Sequence, residues 1–288
     1  KSTTALRDRQ SPPSHCASVP MEAGFEKIET DTVGGVRIGG WEITSCHKSI
    51  LSNTTIEQYS HELGFNVPEM IFGDNYLRIC HAASGCTIEL TALDGLRQID
   101  TGPDSAKSVQ VSIAQNWTES SRRSRGDITD VIKPFDWTFS TKYRGSVSGG
   151  LSFGASDSGI DYAKLMVRET ILFYDENVLY EDDLGDNGTS QLAYKVRVMP
   201  SGFFVLQRFF LRVDGVLFRI YDTRLYHEFG SSVVRREFSS REMPFDSVKR
   251  HVPKKKHDDE DLSLLNNIPF VDGVMKDPIV EYEVASLP

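Results

Sequence analysis

The stretch from Ile171 to Phe238 constrains the fold more than any other part of the chain. It is a series of apolar and alternating segments separated by short turn signals, which is typical of antiparallel strands joined by tight connections. No strand–helix–strand rhythm of the kind that a parallel sheet requires is present. The helical patterns elsewhere are few and short. The sequence therefore predicts an α+β protein, made mainly of antiparallel β-sheets packed in two layers with a few short helices.

The dipeptide Asp214-Gly215 lies between two apolar runs and is the strongest hairpin signal in this stretch. Such a pair favours a two-residue turn, which fixes the strand register. One sheet face would then carry the pairs Val213–Val216, Leu211–Phe218, Phe209–Ile220 and Gln207–Asp222. The opposite face would carry the pairs Arg212–Leu217, Phe210–Arg219 and Arg208–Tyr221. The first face is predicted to be apolar with a polar end, and the second to gather three arginines and two aromatic rings.

Arginine keeps its charge and is rarely buried without a partner, so an anionic group should meet this second face. Internal partners are available at the end of the preceding strand and its turn, at Glu181, Asp182, Asp183 and Asp186. An external partner would be an acidic peptide or a chain-terminal carboxylate held by bidentate bonds. Stacking on aromatic rings would stabilise the guanidinium groups in either case. The residues alone leave both alternatives open.

Composition divides the chain into three parts. Residues 1–32 are rich in Ser, Thr and Pro and are predicted to be disordered. Residues 33–245 are predicted to form a single globular domain. Residues 246–288 combine a Lys254–Lys256 run, an acidic run and scattered apolar side chains, and are predicted to be a charged, irregular tail.

Local signals within the globular part place several shorter elements. A capping box at 54–57 and a glycine at 64 predict one helix, and a looser box at 158–161 predicts a second helix to about 169. One helical turn is expected at 93–98. Further strands are predicted at 76–82, 86–92, 109–113 and 134–141.

Charge and cysteine content exclude several classes of function. The chain has 32 Lys and Arg against 41 Asp and Glu, a net charge of −9, which disfavours general nucleic-acid binding. No apolar run approaches the roughly 20 residues that a membrane-spanning helix needs. Four cysteines without a C-x-x-C pair indicate reduced thiols and a cytoplasmic protein, with the nucleus as a second expected location.

Catalytic motifs are weak. The string Gly150–Gly154 matches G-x-S-x-G, but it lies in a Gly- and Ser-rich stretch rather than between a strand and a helix. A hydrolase using Ser152, His227 and Asp222 is therefore the enzymatic alternative, while His227 is better interpreted as structural. The acidic run 183–188 lacks oxygen ligands where a calcium loop requires them. We expect no enzyme, no cofactor and no metal.

Six ordered segments carry a specific resemblance. They are Phe72–Asn75, Lys133–Thr141, Asp183–Gly188, Lys195–Pro200, Arg208–Val216 and Asp222–Glu228. Together they resemble the TIPRL-like family of TOR signalling pathway regulators, from about Trp41 to about Glu242, and they point to a fungal member.

The resemblance implies a monomeric, non-catalytic protein rich in antiparallel sheet. Members of that family bind catalytic subunits of type 2A and related serine/threonine phosphatases, whose tail ends in an acidic, aromatic-rich peptide with a free carboxylate. In fungi the family is tied to TOR signalling through a Tap-type phosphatase partner. A scaffold for that partner, without direct phosphatase contact, is the remaining non-enzymatic alternative.

The resemblance also suggests where the phosphatase would be bound. Family contact positions correspond to Asp94, Ile160, Ile220 and Asp222. The neighbouring Gly95 and Ile220 itself depart from the family pattern. From the hairpin face, the arginines expected to meet the tail carboxylate are Arg208, Arg212, Arg219 and Arg224.

Overall fold

Two antiparallel β-sheets form the body of the protein, which a computed structural model describes over residues 24–99, 139–254 and 261–288. The first sheet contains, in spatial order, β1 (Phe25–Glu29), β2 (Val33–Ile38), β3 (Trp41–Cys46), β5 (Tyr76–His81), β6 (Thr87–Thr91) and β7 (Ser146–Ser148). The second contains, in spatial order, β4 (Met70–Ile71), β9 (Phe173–Asp182), β10 (Gly188–Met199), β11 (Gly202–Val213), β12 (Leu217–Glu228), β13 (Val233–Pro244), β14 (Ile279–Ser286) and β8 (Gly154–Ala155). The predicted fold class is confirmed.

The described helices are short, as predicted. They are α1 (Asn53–Leu63), α2 (Ala92–Arg97), α3 (Tyr162–Leu165), α4 (Phe245–Lys249) and α5 (Ile268–Val274), with a 3₁₀ helix at Leu262–Asn266. Helix α1 is capped by Ser52 rather than at 54, and it ends at Gly64 in the left-handed conformation, as predicted. Helix α3 starts after the Asp161 cap but stops at Leu165, short of the predicted 169.

The core lies between the two sheets, where alternate residues of both sheets belong to one apolar cluster. The first sheet contributes Val36, Trp41, Ile43, Leu77, Ile79, Ile88 and Leu90, and the second contributes Leu179, Leu192, Val196, Val198, Phe203, Val205, Phe209 and Leu211. Full burial of each such side chain stabilises the fold by about 1.5–3 kcal/mol relative to exposure. This shared interior joins the two predicted layers.

Asn75, the last residue of the first resemblance segment, ties the sheets together through polar bonds. Its amide nitrogen donates to Asn177 Oδ1 at 2.8 Å and to the Val178 carbonyl at 3.0 Å, both in β9. Its Oδ1 accepts from the Lys48 backbone N–H at 2.6 Å. The side chain is buried and satisfied on both ends, so this segment has a structural role.

The hairpin register predicted from the two-residue turn is wrong by one residue. The loop has three residues, 214–216, and the first pair beyond it is Val213–Leu217. Within this loop Gly215 alone is left-handed, with φ +73°, whereas a two-residue type I′ turn would need two such residues. Because side chains alternate along a strand, the extra residue exchanges the two faces of β12 relative to β11.

This shift changes which arginines lie together. Arg219 and Tyr221 move to the inner face, away from the predicted arginine group. Arg208 is now directly opposite Asp222, on the outer face of the second sheet. Arg212 and Arg224 share that face, since they lie an even number of positions from this pair.

The C-terminal part is not an irregular tail in the residues described. It forms α4, the 3₁₀ helix, α5 and β14, which extends the second sheet beside β13. The outer face of β11 and β12 carries bulky apolar side chains that require cover. The resulting second cluster contains Phe210, Phe218, Ile220, Val248, Val252, Leu265, Val271 and Met275.

The N-terminal expectation also needs correction where the structure describes it. Residues 25–29, predicted to be disordered, form β1, which pairs with β2. Residues 1–23 of that segment lie outside the described residues. The predicted strand at 109–113 and the segment 134–138 lie outside them as well, and the predicted hairpin at 76–92 is present as β5 and β6.

Candidate functional site

An open groove of about 700 Å³ lies on the outer face of the second sheet. Its floor is formed by residues of β9, β10 and β11, and its wall by the end of the 3₁₀ helix and the start of α5. The floor is largely apolar, at Val178, Ala193 and Leu206. Two cationic side chains, Lys195 and Arg208, also line it, and so does Glu176, which pairs with Lys195 at 2.6 Å. A groove of this kind suits an extended ligand with apolar groups and negative charge.

Arg208 is fixed by a buried aspartate. Its Nε donates to Asp222 Oδ1 at 2.6 Å and its Nη2 to Oδ2 at 2.8 Å, a bidentate pair. The Asp222 side chain is 0% exposed and the Arg208 side chain 16% exposed. Arg208 therefore has a set orientation while part of it reaches the groove.

Two further arginines converge on the same carboxylate. Arg224 Nη2 and Arg241 Nη2 each donate to Asp222 Oδ2 at 2.8 Å. Arg224 also donates through Nη1 to Ser239 Oγ at 3.0 Å. Charge-assisted bonds of this type are stronger than neutral ones, and one buried carboxylate thus orients three guanidinium groups.

A second acid contacts two of these three arginines from the C-terminal segment, residues 261–288, whose helices pack on the outer face of the sheet. Asp272 of α5 accepts from Arg208 Nη2 at 3.2 Å and forms an ion pair with Arg241. Its side chain is 29% exposed, unlike that of Asp222. The three arginines and two aspartates leave one excess positive charge in this cluster.

The Arg208 side chain remains protonated in this environment. Burial opposes the charged form, but hydrogen bonds and Coulomb attraction from Asp222 and Asp272 outweigh it, and the pKa of Arg208 is raised. Arg208 therefore keeps its positive charge at physiological pH.

The other predicted arginines have internal partners elsewhere. Arg212 Nε lies 2.8 Å from Asp214 Oδ1 in the hairpin loop. Arg219 pairs with Glu242 at 2.5 Å and donates to Ser140 at 2.6 Å. All four predicted arginines have an internal anion, which favours the internal alternative, but Arg208 also lines an open groove.

The acids that supply these partners are not the ones suggested by the sequence. Asp182 accepts backbone N–H groups of Leu184 at 2.7 Å and Glu69 at 3.0 Å instead. Its burial raises the pKa of this carboxyl to about 6. The acidic run that follows it forms a turn with Leu184 and Asp186 in the left-handed region. Among the described residues no group of three His, Cys, Asp or Glu side chains could hold a metal ion.

The four family contact positions are not brought together. Asp94 lies in the first turn of α2, where Ser146 Oγ donates to it at 2.5 Å, and it does not line the groove. Ile160 is buried, and its N–H donates to Glu237 at 2.6 Å. Ile220 and Asp222 are fully buried, so neither presents surface to a partner in this conformation.

A polar contact beside α3 holds the segment that carries Ile160. Tyr162 Oη donates to the buried Glu237 at 2.5 Å. Burial, and then this hydrogen bond, raise the pKa of Tyr162. Tyr162 remains 45% exposed and is the partly open side chain next to a predicted contact position.

Sequence reasoning missed Arg241, Asp272 and Lys195. Arg241 follows Ser239 at strand spacing, so continuing the alternation past residue 238 would have found it on the same face. Asp272 is adjacent to the apolar Val271, but no local signal links this part of the chain to Asp222. Their proximity arises only from the packing of α5 on the sheet.

The enzymatic alternative is inconsistent with this geometry. His227 is buried on the inner face, its ring 4.8 Å from that of Trp41, and its Nδ1 lies 2.9 Å from the Val233 carbonyl. Asp222 points to the outer face, because it lies an odd number of positions from His227 on one strand. The two side chains cannot form a triad, and the structural interpretation of His227 is confirmed.

Among the helices in the described ranges, none has both the length and the apolar character that a membrane-spanning segment requires.

Fold and groove together define a two-layer antiparallel β protein with a partly apolar groove, lined by Arg208, on one outer face. A model of the TIP41-like family matches residues 70–249. The human TIP41-like protein is 44% identical over 238 residues, which cover 81% of this chain and 84% of that protein. The type 2A phosphatase activator TIP41 of Saccharomyces cerevisiae is 38% identical over 259 residues, covering 85% and 73%. The Arabidopsis thaliana TIP41-like protein is 39% identical over 249 residues, covering 79% and 84%.

The chain belongs to the TIP41-like family. The resemblance found from the ordered segments is therefore confirmed, and five of the six segments lie wholly within the described part of the matched range.

Proposed function

We propose that this protein is a non-catalytic regulator that binds catalytic subunits of type 2A-family serine/threonine phosphatases and acts in TOR signalling. Membership of the TIP41-like family supports the class, and two fungal relatives bear the name type 2A phosphatase activator. The protein is proposed to be a monomer when free and to act in the cytoplasm and the nucleus. A Tap-type phosphatase-associated protein is a further proposed partner.

The proposed contact with the phosphatase includes capture of its C-terminal tail in the groove. The observation that carries this proposal is Arg208, which is held rigidly by Asp222 and yet lines an open groove with Lys195. A fixed guanidinium loses little conformational entropy when it binds a carboxylate. The apolar floor between these cations would accept the rings of an acidic, aromatic-rich peptide.

The predicted contact positions take different parts in this proposal. Asp94 is partly exposed and would bond polar groups on the phosphatase body. Asp222 would act indirectly, by orienting Arg208 and Arg224, because it is sealed from solvent. Ile160 and Ile220 would act through the packing of their segments rather than by direct contact.

A binding titration with intact and tail-truncated phosphatase catalytic subunit tests the proposal. Intact subunit should bind at least about tenfold more tightly than the truncated form, since a buried charged pair is worth about 2 kcal/mol or more. The variant Arg208→Gln should lose that difference, while Arg212→Gln, which removes a guanidinium away from the groove, should retain it. Failure of the full chain to bind either form would contradict the proposed function, and equal binding of both forms would contradict tail capture.

A Tap-type scaffold without direct phosphatase contact predicts a different result. In that case the isolated catalytic subunit would not be retained by the pure protein, and retention would appear only when the Tap-type protein is added. The same pull-down therefore separates the two non-enzymatic alternatives.

A further inference from the structure

Asp272 differs from the other acids that pair with arginine on this face. It belongs to α5, which forms the cover of the groove, whereas Asp222 belongs to the sheet itself. The residues directly before it along the chain, from Asn266 to Pro269, form the groove wall. Asp272 thus reaches the arginine cluster from the side on which a ligand would lie.

The two aspartates are bound with different geometry. Asp222 grips Arg208 bidentately at 2.6 and 2.8 Å and is closed to solvent. Asp272 meets Arg208 through one nitrogen at 3.2 Å, pairs with Arg241 through its other oxygen, and is 29% exposed. An ion pair that is partly exposed and singly bonded costs much less to separate than a buried bidentate one.

Two kinds of contact keep Asp272 close to the arginines when its bond to Arg208 is lost. Its other carboxylate oxygen, Oδ1, forms an ion pair with Arg241. Val271 is fully buried in the outer apolar cluster, and Met275 packs there one turn later. These contacts hold the helix on the sheet, so a small rotation of the Asp272 carboxylate, with Oδ1 still paired to Arg241, is enough to release Arg208.

We propose that Asp272 is an internal substitute for the carboxylate of the docked phosphatase tail, occupying Arg208 in the free protein and giving way to the ligand on binding. This inference rests on the proposed function and adds an autoinhibitory contact to it. Binding then exchanges one carboxylate for another on Arg208 while Asp272 keeps its ion pair with Arg241, so no charge is left unpaired in either state. The cost of displacing Asp272 lowers the affinity for the tail and excludes ligands that lack a negative charge.

The variant Asp272→Asn, in the full chain, tests this inference. The probes are a short synthetic peptide rich in acidic and aromatic residues with a free C-terminal carboxylate, the same peptide as a C-terminal amide, and the phosphatase catalytic subunit. The variant should bind the acid-ended peptide and the subunit more tightly by about fivefold or more, with a smaller gain for the amide. Asp214→Asn is the matched control, because it removes an acid that pairs with Arg212 away from the groove, and it should change neither affinity.

Unchanged or weaker binding by Asp272→Asn, with wild-type protein still binding the subunit, would overturn the inference and leave the proposed function intact. Loss of all binding to the subunit by wild-type protein would overturn both. Thermal unfolding of each variant verifies folding, and Asp272→Ser replaces the asparagine variant if the latter does not fold. Tighter binding by either folded variant supports the exchange of carboxylates.

Discussion

Asp222 is the residue on which the outer face depends. Three guanidinium groups bond to its carboxylate, and none of its surface reaches solvent. The predicted role of Asp222 as a direct partner contact came from the family resemblance, which carries no information on burial. The structure instead gives it a positioning role, since it sets the orientation of Arg208 in the groove.

Replacing Asp222 with Asn should destabilise the protein by about 3–5 kcal/mol, because it leaves buried guanidinium groups without their shared anion. Asp214→Asn serves as the control and should cost about 1 kcal/mol or less, since Asp214 is partly exposed in the hairpin loop. Chemical denaturation of both variants measures the difference in the free energy of unfolding. Equal losses would show that the arginine cluster has no special dependence on Asp222.

At the scale of elements, the outer face of the β11–β12 hairpin is buried by the C-terminal helices. Phe210, Phe218 and Ile220 project from the outer face of the hairpin, while Phe209 and Leu211 project into the core. A hairpin that is apolar on both faces needs a second layer of cover. The C-terminal segment provides it with α4, the 3₁₀ helix and α5, and it adds β14 to the edge of the sheet.

A chain that ends at Val252 should therefore lose more than its tail. Removal of α5 and β14 exposes the outer apolar cluster and the edge of β13, which favours aggregation. We expect the midpoint of thermal unfolding to fall by about 10 °C or more, with increased binding of a hydrophobic dye. The full chain with Asp272→Asn, which removes only a charge, should keep near wild-type values. A truncated chain that unfolds like the full chain would indicate that the segment is a dispensable tail.

At the scale of the whole molecule, two buried groups make stability depend on pH in opposite directions. Burial lowers the pKa of His227 below 6.5, so the unfolded chain binds more protons than the folded one as the pH falls through that value. The part of the folding stability that depends on a neutral His227 is therefore lost progressively as the pH falls below 6.5. Burial raises the pKa of Asp182 from 3.8 to about 6, so its contribution is present at low pH and is lost as the pH rises to about 6.

The variant His227→Asn separates the two effects, because its amide can replace the bond from Nδ1 to the Val233 carbonyl. Between about pH 7 and pH 5.5, the wild type should lose about 1 kcal/mol more stability than the variant. Denaturation curves at each pH give this difference, in which the Asp182 contribution cancels. Parallel curves for the two proteins would exclude His227 as the source of the acid sensitivity.

Local patterns were sufficient for some of these features. The alternation between 171 and 238 predicts the strands that became β9 to β13, and Gly64 marks the end of α1, because backbone conformation at such positions is decided by neighbours in sequence. The ordered segments likewise identify the family without any knowledge of the fold. Asp-Gly places the β11–β12 turn at the correct dipeptide for the same local reason.

The tertiary structure alone decided the register and the site. Asp-Gly is compatible with a two-residue or a three-residue loop, and an apolar pattern on both faces of the hairpin cannot choose between them. The choice was made by burial of one face against the first sheet and of the other against α4, the 3₁₀ helix and α5, which are distant in sequence. Because one residue of register exchanges the faces of a strand, that choice also placed Asp222 against Arg208 and brought Asp272 to the edge of the groove.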